Sequence, residues 1–355
     1  MMETVMKKET IVSFIHKILN GTAIAIVVAL IPNAILATIF KPLAANYQMA
    51  ADFLHIIQVF QFFTPIMAGF LIAQQFNLTQ MQQIAVGGAA YIGSGAWTLA
   101  NVVLDGNQVS IFQLKGIGDL INMMITAAIA VKLIQLVGNK FGALNIILLP
   151  ILLGTGAGYL GWLLLPYVST VTFLIGQGIN SFTTLQPVLM SILIAMSFSV
   201  LIVSPISTVA IGIAVGLTGL SSASAAMGVA SSAAVLVWGT MKTNKAGVPL
   251  AIGLGAMKMM MPNVMKTPKL LVPITLTAAI SSISVPVFSL VGTPASAGFG
   301  LVGLVGPIAS LEGGATIVQV AIAWIVIPFV VGYVTNYVCM NVLKLYGAEA
   351  LKFEN

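Results

Sequence analysis

Between Leu270 and Leu343 the sequence carries one charged residue, Glu312, within Ser310-Leu311-Glu312-Gly313-Gly314. A carboxylate beside freed backbone amides can accept paired hydrogen bonds from neighbouring hydroxyls. The chemistry this suggests is recognition of a sugar-like solute, with Ser310, Gly313 and the upstream Gly306 as its companions. An ionisable group in so apolar a stretch is costly and marks a candidate functional site. The plainer alternative is a carboxylate in a solvated outer loop.

A second constellation is Asp52, His55, Gln58 and Gln61. Spacing by three places them along one slowly drifting helical face, and such a polar stripe on a membrane helix should face the bundle interior. Asp52 and His55 have a headgroup-level alternative, whereas Gln58 and Gln61 lie deeper. Asp119 opens a helical segment and suits its N-terminus electrostatically. Lys258 reads as a snorkelling side chain at the cytoplasmic interface, with a pathway residue as the alternative. The pairs Gly154/Gly158 and Gly212/Gly216 have the four-residue spacing of close helix packing.

Other patterns carry no chemistry. Gly298, Gly300 and Gly303 match a dinucleotide fingerprint as a string, but without the strand–turn–helix context or a following acidic residue. No P-loop, metal-binding motif or paired cysteine occurs, and no acid, base and metal set come together. The expectation is a protein that is not an enzyme and needs no cofactor.

The elements that position these residues must lie in lipid. Of 355 residues, 59% are hydrophobic and only 6% charged, with a mean hydropathy of +1.08. Ordinary soluble domains carry about 25% charged residues, so the expected class is an all-α polytopic membrane protein. The net charge of +6 comes from lysine alone. The absence of arginine argues against nucleic acid as a partner. The single Cys339 excludes an internal disulfide.

A membrane helix needs about 20 apolar residues. The pattern predicts ten spans, at 21–40, 49–73, 80–103, 119–138, 143–166, 186–203, 205–220, 222–240, 270–291 and 316–340. Residues 1–20 are predicted as a cytoplasmic interfacial helix, 21–343 as a single transmembrane domain and 344–355 as a cytoplasmic tail. Lysine clusters at 7–17, 132–140, 242–245, 258–269 and 344–352 fall on one side of this count. The positive-inside rule then places both termini in the cytoplasm and the Asp105–Asn107 loop outside, with Lys41 and Lys115 as exceptions. The inferred location is the inner or plasma membrane of a bacterial cell.

Two segments fit no ordinary span. Residues 247–262 are apolar, too short to cross and flanked by lysines; residues 292–315 are rich in glycine and contain Pro294 and Pro307. Glycine and proline disfavour a continuous helix, and irregular backbone at membrane depth survives only against protein or a water-filled cavity. Both are predicted as re-entrant hairpins, 247–262 entering from inside and 292–315 from outside, the arrangement by which many transporters build a midplane site; the alternative for each is a surface loop.

Leu19-Asn20-Gly21-Thr22-Ala23 leads into Val27-Val28-Ala29-Leu30-Ile31-Pro32-Asn33-Ala34, and a late glycine-rich stretch ends Leu311-Glu312-Gly313-Gly314. With these motifs the chain resembles the membrane (IIC) component of the bacterial sugar phosphotransferase system. The nearer likeness is to a divergent, stand-alone branch that includes toxin-regulator-like proteins. The resemblance implies a homodimer that binds a sugar near re-entrant hairpins and moves it by an elevator-like displacement, with Glu312 at the sugar-contacting position. A glutamate followed by proline is usual there, and Glu312-Gly313 departs from it. Phosphorylation would have to come from a separate soluble subunit. The expected function is a permease for a small polar solute, and the alternative is a membrane-embedded solute sensor without transport.

Overall fold

The computed structural model describes residues 10–104, 107–137, 140, 142–294 and 296–353. Seven of its helical segments are long and apolar enough to cross a bilayer: Ile11–Leu30, Gln48–Gln75, Leu120–Val137, Leu149–Thr184, Gly219–Thr240, Pro268–Val287 and Ile317–Val342. Two shorter apolar helices, Pro187–Leu201 and Val302–Glu312, lie among them.

The remaining predicted spans break for local reasons. Helix α4 (Gln80–Ser94) stops at Gly95, which adopts the left-handed conformation at φ 67°, and at 15 residues it is about 22 Å long. The chain then forms an antiparallel hairpin, β1 (Trp97–Leu104) with β2 (Asn107–Leu114), in a register from Trp97 opposite Leu114 to Leu104 opposite Asn107. The predicted helix 80–103 is therefore helix to Ser94 and strand from Trp97. The β-branched run and the Asp105-Gly106 pair are a strong hairpin signature; those two residues themselves lie outside the described set, as do residues 1–9 of the predicted interfacial helix. The predicted span 205–220 contains only the eight-residue helix Thr208–Val215. It ends at Gly216, whose φ of 71° is a C-cap conformation and whose Cβ position touches nothing within 4 Å. That glycine caps rather than packs.

Helix α1 (Ile11–Ala44) runs unbroken through the predicted boundary at residue 20. Gly21 lets it cross α3 (Thr64–Gln75) closely, since a Cβ there would lie 2.5 Å from the Ile72 backbone. Thr22 returns its hydroxyl to the Ile18 carbonyl at 2.8 Å, which satisfies a polar group in an apolar setting. These contacts give the first resemblance motif a packing role.

Two cores result. One joins α1, α3, α4, α5 (Leu120–Val137) and the Leu149–Thr155 segment through Ile26, Ile72, Val86, Met123 and Leu153. The other surrounds the Gly219–Thr240 helix, drawing in Phe198, Ile211, Leu236, Met257 and Val302. That central helix is mostly small residues, so neighbours approach its backbone. A Cβ on Gly228 would meet the Ala195 carbonyl oxygen at 2.1 Å. Ser231 returns its hydroxyl to the Met227 carbonyl of the same helix at 2.8 Å, whereas Ser222 donates to the Thr293 carbonyl at 2.5 Å.

The C-terminal segment is docked, not a free tail. Asn244 Nδ2 donates to the Leu351 carbonyl at 2.8 Å, and Asn244 Oδ1 accepts from the Phe353 amide at 2.7 Å. Asn263 donates to the carbonyls of Ala350 and Lys352.

Candidate functional site

A cavity of about 340 Å³ lies on the seam between the two cores. This sits at the small end of the ligand-pocket range. The N-terminal core contributes Ile26, Leu30 and Asn33 from α1, Gln61 and Phe62 from the end of α2 (Gln48–Phe62), and Gly116, Ile117 and Leu120. The other core contributes three broken segments, represented by Ser207 and Thr208, by Gly255, Ala256 and Lys258, and by Gly298, Phe299 and Val302. A second hollow beside the β-hairpin, lined by Tyr91, Trp97 and Phe112, is open and mainly apolar.

Each polar group is placed by an identifiable backbone break. Pro65 has no N–H to return to the Gln61 carbonyl, and the Thr64 hydroxyl fills that role at 2.5 Å. The helix bends there, and Gln61 reaches the cavity. Ser207 caps the Thr208–Val215 helix by accepting from the Ala210 amide at 3.2 Å. Thr208 donates to the Gly298 carbonyl at 2.9 Å, tying two of the broken segments together. Gly255, with φ 128°, reverses the chain between Gly247–Gly253 and Met257–Met260.

Lys258 does not snorkel. It is 7% exposed, and its Nζ donates to the carbonyls of Ser204 (2.5 Å) and Ile206 (2.8 Å). Those acceptors are free because Pro205 interrupts the helical ladder after Leu201.

The sequence-predicted residues divide. Gln61 lines the cavity. Asp52, His55 and Gln58 are exposed on α2, and Asp52 accepts from Gln48 at 2.9 Å. Ser310 and Gly306 are buried behind the cavity wall against Trp324, whose Nε1 donates to Ser310 Oγ at 3.2 Å. Glu312 is exposed at the C-terminal end of the Val305–Glu312 helix, and Gly313 follows as its cap. None of these four lines the cavity. Because Glu312 is exposed at a helix end that disfavours negative charge, Glu312→Gln is expected to leave folding intact and solute affinity within about threefold. A tenfold loss by calorimetry would return Glu312 to the contact set. Asp119 acts as expected, accepting from the Asn122 amide at 2.8 Å at the start of α5.

Sequence reasoning overlooked Asn33, Ser207, Thr208 and the buried state of Lys258. The available signals were the Ser204-Pro205 break and the Ile31-Pro32-Asn33-Ala34 motif. No group of three or more His, Cys, Asp or Glu residues suited to a metal occurs among the described residues.

A family model described as phosphotransferase system, EIIC, matches residues 16–353. Neither a curated protein nor a solved structure matches the chain.

Proposed function

Because the chain belongs to the phosphotransferase-system EIIC family, we propose that it is a membrane permease for a small polar solute, a sugar or sugar-like molecule, bound in the seam cavity. The observation that carries this reading is the convergence of three broken backbone segments on one cavity between two packed bodies. Broken elements expose backbone groups and hydroxyls to a polar ligand where continuous helices cannot.

We assign the motion to an elevator-type displacement of the C-terminal body against α1. The hydrogen bonds from Lys258 and Thr208 are internal to that body. The N-terminal body meets the seam largely through Ile26, Leu30, Phe62, Ile117 and Leu120, and apolar contacts slide with little directional cost. In this reading 247–262 and 292–315 are re-entrant hairpins, the molecule works as a homodimer, and any phosphoryl transfer uses a separate soluble subunit.

Gln61→Leu keeps the side-chain size and removes both hydrogen-bonding functions. Solute affinity is expected to fall by about 1 kcal/mol or more, roughly fivefold to tenfold. Calorimetry and uptake into proteoliposomes separate the outcomes: parent-like affinity removes Gln61 from the site, and binding without uptake supports the sensor alternative.

Both termini are assigned to the cytoplasm. For the C-terminus, support comes from its segment meeting Asn244 and Asn263, as expected if those three regions share one side. In a chain with Cys339 replaced by serine, cysteines at Gln108 and Lys245 are expected to label from opposite faces of intact cells. Lys245 is chosen because it is exposed, whereas Asn244 holds the C-terminal segment. Labelling from the same face overturns the orientation.

A further inference from the structure

Resting on the permease reading, we propose that the cavity takes a sugar acid, a polyhydroxylated solute bearing one carboxylate, with that carboxylate met by Lys258. Among the described residues lining the cavity Lys258 is the only charged one, and no carboxylate faces it there. An ammonium has three donors. Two are taken by the carbonyls of Ser204 and Ile206, which offer dipoles and no counter-charge. A buried cation with dipoles alone is incompletely compensated, and a charge partner in a desolvated site recovers part of that cost.

The remaining polar lining is neutral: Asn33, Gln61, Ser207 and Thr208. Amides and hydroxyls match the hydroxyls of a sugar. One positive charge and several neutral groups together describe a monoanionic polyol. A neutral sugar would leave the lysine uncompensated, a cationic solute would be repelled, and a dianionic phosphate would exceed the single positive charge. The volume of about 340 Å³ suits one sugar ring rather than an oligosaccharide.

The competing account is that Lys258 only caps the carbonyls freed by Pro205. Thermal unfolding of the full chain in detergent separates the two, because a ligand that binds only the folded state raises its midpoint. The probes are D-glucose with D-glucuronate, D-galactose with D-galacturonate, D-gluconate and glucose 6-phosphate, applied to the parent, Lys258→Gln and Lys258→Arg. At least one acid is expected to stabilise the parent at concentrations tenfold or more below its neutral counterpart. Lys258→Gln should lose that preference while Lys258→Arg keeps it. Equal or better binding of the neutral sugars, preference for the phosphate ester, or an unchanged acid preference in Lys258→Gln each overturns the proposal while leaving the permease reading in place. If no sugar of any kind binds the parent, the sugar reading fails and this proposal with it. Should Lys258→Gln not fold, the comparison of acid and neutral sugars on the parent alone decides.

Discussion

Gly298→Ala is expected to dismantle the cavity wall and lower stability by about 3 kcal/mol, the upper part of the range for overpacked sites. A Cβ at Gly298 would lie 2.3 Å from the Val209 amide nitrogen and 2.5 Å from its Cα. Both are backbone atoms of the Thr208–Val215 helix, so no rotamer change relieves the clash. That helix must move away, and the 2.9 Å bond from Thr208 to the Gly298 carbonyl breaks with it. Gly212 offers no slack, because its own Cβ position is 2.8 Å from the Ala297 methyl carbon. The thermal midpoint should fall and any ligand-induced rise should vanish. Gly247→Ala is the control: nothing lies within 4 Å of its Cβ position, and it should unfold like the parent. Parent-like stability and binding in Gly298→Ala would show that these segments do not pack as closely as described.

Trp324→Ala should be comparably damaging. The indole is fully buried, and a Cβ on Gly306 would sit 2.7 Å from its ring. Its Nε1 also donates to Ser310 Oγ, which is left without that partner on truncation. Loss of a buried tryptophan costs about 3–5 kcal/mol in water-soluble cores. Here part of the transfer term disappears, because the surroundings of the loosened chain are also apolar. The expected loss is therefore about 3 kcal/mol, dominated by packing. Trp324→Phe keeps most of the ring contact and removes the donor, for an expected loss of about 1 kcal/mol. Equal losses in the two variants would mean the hydrogen bond, not the packing, holds the Val305–Glu312 helix in place.

The same residues show how far the site was legible. Gln61 was found because polar residues spaced by three stand out on an apolar helix. Its neighbours Asp52, His55 and Gln58 share that spacing yet lie exposed, since the bend before Pro65 directs only the end of α2 at the cavity. Glu312 drew attention as an isolated charge. Isolation in sequence does not fix which side of a wall a side chain faces, and Trp324 holds Ser310 and Gly306 on the side away from the cavity.

The sequence by itself determined the solvent and the family. A chain with 6% charged residues cannot clothe itself for water, and the motifs around Gly21 and Glu312 pointed to the EIIC family whose model matches residues 16–353. It also marked where helices must break, because proline lacks a donor and glycine adopts φ angles that other residues avoid. Only the tertiary structure decided which breaks meet. Ser204, Lys258 and Gly298 are at least 40 residues apart in sequence, and no local periodicity encodes their meeting. It follows from the packing of small residues along the Gly219–Thr240 helix, which brings the three segments to one seam. Lys258 is buried there because the carbonyls freed by Pro205 come within hydrogen-bonding distance only once that packing is complete.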